Sequence, residues 1–242
     1  MIQIGDHVKW SFLTLSFNVD TIISSIFVSL IIVFLALLAK IFLLKKAKTI
    51  SSSQAFLEVF YLFSANIVTG VMGEKGKKYV PFVSTLFIFI LFSNIFGLMP
   101  ITEIEELFFG KIIHRIIFLE SPTYDLNTTV ALAICSFFAV QYYGIKANGL
   151  KYFKRFISPN FLFLPLNLLE ELSRPMSLAI RLFGNAFGKA AILAIFVSLV
   201  VFPIFYPVPI MALGLFIAFL QAYIFSLLTS FYIYSAVSEE GH

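Results

Sequence analysis

The sequence has few of the residues that soluble and metal-binding proteins use. Only 12% of its 242 residues are charged, whereas soluble chains carry about a quarter. A single cysteine, Cys135, excludes a disulfide within the chain, and the three histidines are too scattered to form a ligand cluster. No glycine-rich phosphate loop occurs, so we expect no nucleotide site, metal or other cofactor.

The chain contains long apolar runs instead. Hydrophobic residues make up 60% of it, and several uncharged runs reach the length of about 20 helical residues that crosses a hydrocarbon core. We therefore predict an all-α polytopic membrane protein that forms a single membrane domain over residues 1–242. The predicted membrane-embedded helices cover about residues 19–44, 79–100, 126–145, 163–202 and 208–237, and a predicted interfacial helix covers about residues 54–70.

The last two predicted helices are too long for a perpendicular crossing. At 1.5 Å per residue, residues 163–202 would extend about 60 Å and residues 208–237 about 45 Å, against a hydrocarbon core of about 30 Å. Helices of that length must tilt, so we predict a long, steeply tilted hairpin. Pro175 predicts a kink in its first arm.

Basic residues lie between the apolar runs and predict the orientation. Clusters follow the first span at Lys40 to Lys48, precede the second span in the GEKGKK segment that begins at Gly73, and follow the third span at Lys146 to Arg155. Positive clusters mark cytoplasmic loops. We therefore predict an outside N-terminus and a cytoplasmic C-terminus, with GEKGKK as a loop, and we expect no binding of nucleic acid.

One arginine stands alone within the apolar sequence. No other charge lies between Pro175 and Gly188 besides Arg181, and none occurs from Ala190 to Ser238. An arginine at membrane depth raises the insertion free energy by a few kcal/mol, so by default it marks a functional site. The alternative is a structural ion pair within the chain. The nearest acids on its helix, however, are about 15 Å away along the axis, so Arg181 needs an external anion or a wet cavity.

Other polar residues share the helix face of Arg181. On a helix that advances about 100° per residue, they fall within about 80° of it. These residues are Glu170, Arg174, Ser177, Asn185 and Lys189. On the last helix, Gln221 is the only strongly polar residue near the middle. Taken alone, Asn185 and Gln221 are as typical of interhelical hydrogen bonds as of function.

The run PLNLLEELSRPMSLAIRLFGN, from Pro165 to Asn185, resembles the signature of subunit a of F-type ATP synthases. LQAYIF, YVPFVSTLFIFILFSN, DLNTTVALA and the SEEGH tail resemble the same family, nearest the bacterial and chloroplast type. The resemblance implies a non-catalytic stator subunit that conducts ions, with a c-subunit ring, a b-type peripheral stalk and the remaining synthase subunits as partners. It also implies an energy-transducing bilayer, for which we favour the bacterial plasma membrane over the thylakoid.

The resemblance further implies two laterally offset half-channels that lead ions to and from the carboxylates of the c-ring. Arg181 would keep a passing carboxylate ionised and would separate the half-channels. By their positions, the inner half-channel would contain Glu170, Glu171, Arg174 and Ser177, and the outer one Asn94, Asp125 and Asn127. Asn185 and Gln221 would belong to the same ion path.

Two positions depart from the family pattern. Many members have Glu or His where this chain has Ala190, and some have His or Glu where it has Gly214. Lys189 is adjacent and has two interpretations: a side chain that snorkels to the outer interface, or a group that retains protons or adapts the path to sodium. Whether the chain conducts H⁺ or Na⁺ stays open at this point.

Two other functions compete with the ion channel. A secondary transporter could bind an anionic substrate at Arg181, but it should have an inverted repeat and paired broken helices, and neither is visible in the sequence. A purely structural membrane scaffold would not need an intramembrane arginine.

Overall fold

The computed structural model describes residues 9–12, 15–44, 52–98, 121–157, 160–199 and 207–238. Within these ranges the chain is mostly helical, and it also contains one short antiparallel hairpin, which pairs β1 (Lys9–Phe12) with β2 (Leu15–Asn18). Lys9 lies opposite Asn18 in this hairpin. This hairpin was not predicted, but the predicted all-α fold class is otherwise confirmed.

The helices begin and end close to the residues that the apolar runs indicate. The α-helices are α1 (Val19–Leu44), α2 (Ser52–Met72), α3 (Val80–Phe96), α4 (Leu126–Asn148), α5 (Lys154–Ile157), α6 (Leu164–Leu199) and α7 (Pro207–Val237). Short 3₁₀-helices cover Gly73–Tyr79, Pro122–Tyr124, Gly149–Phe153 and Phe161–Phe163.

Three described stretches are long and apolar enough to cross a membrane: Glu58–Phe96, Leu126–Asn148 and Met211–Val237. A shorter apolar helical stretch covers Thr21–Leu37. The 36 residues of α6 correspond to about 54 Å of helix. The steep tilt of α6 and α7 and the interfacial position of α2 remain predictions.

The GEKGKK segment is not the loop that the sequence analysis predicted. It forms the 3₁₀-helix Gly73–Tyr79, which joins α2 directly to α3. Gly73 has a φ of 61°, a left-handed conformation that glycine adopts readily because it has no Cβ. A Cβ at Gly76 would lie only 2.8 Å from the Cβ of Met72. Glycines at these two positions therefore allow a compact turn.

The contacts between Cα atoms divide the chain into two units. The first unit comprises Met1–Leu44, Ile88–Thr128 and Phe183–Gln221, and the second comprises Lys45–Phe87, Thr129–Leu182 and Ala222–His242. The core of the second unit contains Val68, Met72, Tyr79, Val80, Val83, Val140, Tyr152, Ile233 and Ala236. In the same unit, the hydroxyls of Ser64 on α2 and Ser84 on α3 form a buried hydrogen bond of 2.7 Å, which ties the two helices together.

In the first unit, α1 has one buried face and one exposed apolar face. Thr21, Ser24 and Val28 are buried at helical spacing, and the ring of Phe27 lies 5.8 Å from that of Phe96 on α3. The exposed large side chains of α1 are Ile22, Ile23, Ile26, Phe27, Leu30, Val33, Phe34 and Leu37. An apolar face of this size fits contact with lipid rather than water.

Candidate functional site

The polar face of α6 lies on one continuous helix. Glu170, Arg174, Ser177, Arg181 and Asn185 all fall within Leu164–Leu199, and the helix continues through its internal Pro175. These five residues are three or four positions apart on a continuous α-helix, so they share one face of α6, as the sequence pattern predicted. The kink at Pro175 remains a prediction.

Arg181 is half-buried and has no ion-pair or hydrogen-bond partner among the residues that the structure describes. Its neighbours Leu178 and Leu182 are buried, whereas Ile180 is exposed. The described part of the chain therefore contains no carboxylate that neutralises this guanidinium. Ser177, one turn before it, is exposed.

Asn185 and Gln221 come together in the first unit. The Nδ2 of Asn185 donates a hydrogen bond of 2.5 Å to the Oε1 of Gln221. Gln221 is only 2% exposed, and its Nε2 has no hydrogen-bond partner among the described residues. A buried donor without a partner typically destabilises a protein by about 1–3 kcal/mol. The amide pair is therefore not a fully satisfied structural contact in the part of the chain described.

In the second unit, Glu171 lies at the centre of a polar network. Its Oε2 accepts a 2.6 Å hydrogen bond from the Nη2 of Arg155, and its Oε1 accepts a 2.8 Å hydrogen bond from the Nε2 of Gln141. The phenol of Tyr152 in turn donates to the Oε1 of Gln141 at 2.7 Å. Charge-assisted hydrogen bonds of this length are among the stronger ones in proteins. The network joins α4, α5 and α6.

Tyr152 belongs to the 3₁₀-helix Gly149–Phe153, outside the predicted spans. Burial raises the pKa of its phenol above the usual 10.0, and the nearby Glu171 carboxylate acts in the same direction. Arg155 opposes this effect through its positive charge. The phenol is therefore favoured in its neutral form, in which it can donate to Gln141.

Arg174 contacts both neighbouring glutamates. Its Nη2 lies 2.8 Å from the Oε1 of Glu170, and its Nη1 lies 3.4 Å from the Oε2 of Glu171. Its guanidinium also lies over the ring of Tyr232 on α7, 5.2 Å from the ring centre, a cation–π geometry. The structure therefore brings Glu170, Glu171 and Arg174 together, and their role in an inner half-channel stays a prediction.

A small cleft lies beside this network. It has room for about one water molecule. Its lining residues are Ala133, Ser136, Phe137, Val140, Glu171, Arg174, Pro175, Leu178 and Tyr232. The hydroxyl of Ser136 forms a 2.9 Å hydrogen bond with that of Thr229. The accessible lining of the cleft is mainly apolar, so it offers few hydrogen-bond partners to a bound water.

Asn94, a predicted outer residue, is buried within a chain of hydroxyls in the first unit. Its Oδ1 accepts a 3.1 Å hydrogen bond from Thr123. The Thr123 hydroxyl lies 2.9 Å from that of Ser121, which donates at 2.7 Å to the backbone carbonyl of Ser93. Both hydroxyl residues are buried. The end of α3 is thus fixed to the segment that precedes α4.

Asp125 and Asn127, the other predicted outer residues, lie at the start of α4. The Oδ1 of Asp125 accepts a 2.9 Å hydrogen bond from the backbone N–H of Asn127, a typical N-cap contact. Its Oδ2 accepts a 2.9 Å hydrogen bond from the Nδ2 of Asn18. The side chain of Asn127 is exposed. Asp125 therefore combines a capping role with a contact to the N-terminal segment.

Ala190 and Gly214 are the two positions that depart from the family pattern, and the structure describes the surroundings of Gly214 alone. The side chains of Lys189 and Ala190 lie outside the part of the chain that is described, so both interpretations of Lys189 stay predictions. At Gly214, which is buried, a Cβ would overlap the Cδ2 of Leu98. Packing against Leu98 is therefore sufficient to account for a glycine at this position.

Several residues of these networks were not predicted from the sequence. Arg155 was predicted only as part of a basic cluster, and Gln141, Tyr152, Asn18 and Thr123 were not predicted as site residues. Gln141 had a usable signal, because an amide within an apolar helix usually has a hydrogen-bond partner. Tyr152 had none, since nothing in its local sequence indicates a contact with α4.

Comparisons with known proteins agree on one family. The sequence model of the family described as ATP synthase A chain matches residues 22–234. A protein of Bigelowiella natans, "ATP synthase subunit a, chloroplastic", is 37% identical over 240 residues. The matched region covers 98% of this chain and 94% of that relative.

Proposed function

This chain belongs to the ATP synthase A chain family, and on that premise we propose that Arg181 is its ion-transfer residue. As a family member it is an integral subunit of the proton channel in the ATP synthase stator, it works within a complex of other subunits, and it lies in an energy-transducing membrane. This membership sets aside the secondary transporter as an alternative.

The observation that carries the proposal is the charge of Arg181 without a partner. The guanidinium is half-buried, and no described carboxylate neutralises it. A carboxylate on each passing c subunit would supply the missing anion. Because the positive charge stabilises the ionised carboxylate, a proton must leave before the carboxylate passes Arg181. A proton that crosses the full potential yields about 2.3 kcal/mol per 100 mV, which would drive the rotor.

We assign two offset half-channels to the polar groups on either side of Arg181. Glu170, Glu171, Arg174 and Ser177 would belong to the inner one, and Asn94, Asp125 and Asn127 to the outer one. The contacts among Glu170, Glu171 and Arg174 and the buried hydroxyl chain at Asn94 support this division. The Asn185–Gln221 amide pair would belong to the path near Arg181, and Lys189 to its outer end.

The proposed surroundings follow from the same family. The c-ring and a b-type peripheral stalk would be direct partners. The basic clusters that precede α2, lie between α2 and α3, and follow α4 support a cytoplasmic side for these segments, with the N-terminus outside and the C-terminus inside. We assign the chain to a bacterial plasma membrane, with the thylakoid as the alternative.

The test is Arg181→Ala in membranes that contain the assembled complex. We expect ATP-driven proton pumping and ATP synthesis both to be lost while the subunit content stays unchanged. Lys154→Ala is the matched control, because it removes one positive charge from an exposed side chain. Retention of both activities in Arg181→Ala would refute the proposed role.

A further inference from the structure

The two adjacent glutamates of α6 lie in different surroundings. The side chain of Glu171 is 6% exposed, whereas that of Glu170 is 64% exposed. Both carboxylate oxygens of Glu171 accept hydrogen bonds, one from Gln141 and the other from Arg155. Glu170 contacts Arg174 through its Oε1 alone. Of the two acids, only Glu170 therefore has a carboxylate that is exposed at the surface of this chain.

Arg155 is the group that fixes Glu171. Besides its 2.6 Å contact with Glu171, it donates through Nη1 to the carbonyl of Ser235 on α7 at 3.4 Å. Its guanidinium also lies 5.4 Å from the ring centre of Tyr152 and 6.0 Å from that of Phe156. An arginine held from several sides loses little further freedom when it binds a carboxylate. The Arg155–Glu171 pair is thus a rigid contact between α5 and α6.

This rigid pair also positions Arg174. The Oε2 of Glu171 lies 3.4 Å from the Nη1 of Arg174, which is an ion-pair contact and not a hydrogen bond, because this Nη1 has no hydrogen-bond partner in the part of the chain that the structure describes. The ring of Tyr232 on α7 lies against the same guanidinium. With Arg174 held there, its Nη2 meets Glu170 at 2.8 Å. Arg174 therefore links the exposed acid to the buried acid.

We propose that Arg155 and Glu171 form a fixed anchor that positions Arg174, and that Glu170 is the acid that exchanges protons with water at the inner end of the path. In the direction of synthesis, a proton released by a rotor carboxylate binds the Glu170 carboxylate and then leaves it for bulk water. This inference rests on the proposed function and separates two acids that the half-channel assignment treats alike. Glu171 becomes a positioning residue.

The charged and titratable groups that face the two acids come from several elements. Glu171 faces Arg155 of α5 and Arg174 of its own helix, and it reaches Tyr152 through Gln141. Glu170 faces Arg174 and is otherwise exposed at the surface of the chain. Replacement of the exposed acid should therefore change how ion transfer depends on pH, whereas replacement of the buried acid should not.

The experiment compares Glu170→Gln and Glu171→Gln in the purified complex reconstituted into vesicles. ATP-driven proton pumping per assembled complex is measured across the pH range. We expect Glu170→Gln to lower the pumping rate roughly tenfold and to change the shape of the pH profile. The loss is smaller than that caused by removal of a dedicated catalytic acid, because water can also carry protons along the path. Glu171→Gln should lower the rate through misplacement of Arg174 but keep the wild-type shape.

Either of two results overturns the inference: a changed pH profile in Glu171→Gln, or an unchanged profile in Glu170→Gln. If Glu171→Gln does not assemble, Arg155→Lys decides instead, because it keeps the charge of the anchor. That variant should pump more slowly with the wild-type profile, and a changed profile would refute the anchor. Neither outcome depends on Arg181→Ala, whose result bears on the proposed function alone.

Discussion

The Nη2 of Arg155 lies 2.6 Å from the Oε2 of Glu171, although sixteen residues separate them in the chain. Arg155 belongs to a basic cluster whose expected role was to set the orientation of the chain in the membrane. The contact gives one member of that cluster a second role, because it ties α5 to the start of α6. A residue can therefore satisfy the charge rule for cytoplasmic segments and also stabilise a buried acid.

Arg155→Ala should destabilise the subunit by about 3 kcal/mol, because it leaves the buried carboxylate of Glu171 without its main partner. The measurement is the midpoint temperature at which the detergent-solubilised complex unfolds. Lys154→Ala, at the exposed neighbouring position, serves as the control and should leave the midpoint unchanged. Equal midpoints for the two variants would show that the pair contributes little.

Gly144→Ala should destabilise the second unit by about 1–3 kcal/mol, as overpacking typically does. A Cβ at this position would overlap the ring of Tyr152, so the ring must move and its hydrogen bond to Gln141 weakens. Gly70→Ala is a matched control, since a Cβ there meets nothing within 4 Å. Thermal unfolding of both variants checks this, and a loss of stability in Gly70→Ala equal to that in Gly144→Ala would contradict it.

Gly214→Ala should lower stability because its Cβ would overlap Leu98. The double variant Leu98→Ala/Gly214→Ala removes the overlap, so its loss should be smaller than the sum of the two single losses. The readout is the unfolding midpoint of the complex for all three variants. Strict additivity would mean that Leu98 is not the obstacle.

The raised pKa of Tyr152 predicts a loss of stability in alkali. Because the folded-state pKa lies above the unfolded value of 10.0, this contribution is fully present below that value and is lost as the pH rises through the folded-state pKa. Unfolding midpoints measured from about pH 9 to 11 should therefore fall more steeply in wild type than in Tyr152→Phe, which lacks the titrating phenol. Parallel curves would exclude this contribution.

The sequence predicted those parts of the fold that depend on residues close together in the chain. The apolar run that begins at Val19 could be identified because a membrane helix requires apolar residues that are consecutive in the chain. The GEKGKK segment was predicted wrongly, because its glycines and lysines are as typical of a loop as of a 3₁₀-helix. The motif around Arg181 identified the family because its residues are consecutive.

The networks around the site could not be predicted in the same way. Gln141 and Glu171 are thirty residues apart, and Asn18 and Asp125 are separated by 107. Which of two adjacent glutamates is buried depends on the helices that pack against α6, and helical spacing alone does not specify those partners. The sequence therefore indicated the acids but not the difference between Glu170 and Glu171.

The contact of Leu98 with Gly214 restricts the order in which mutations at these positions can accumulate. An acid or imidazole introduced first at position 214 would meet the Leu98 side chain and would be selected against for its packing before any effect on conduction could be tested. A smaller residue at position 98 opens that space without a new charge. A lineage that acquires a titratable group at position 214 should therefore change residue 98 first.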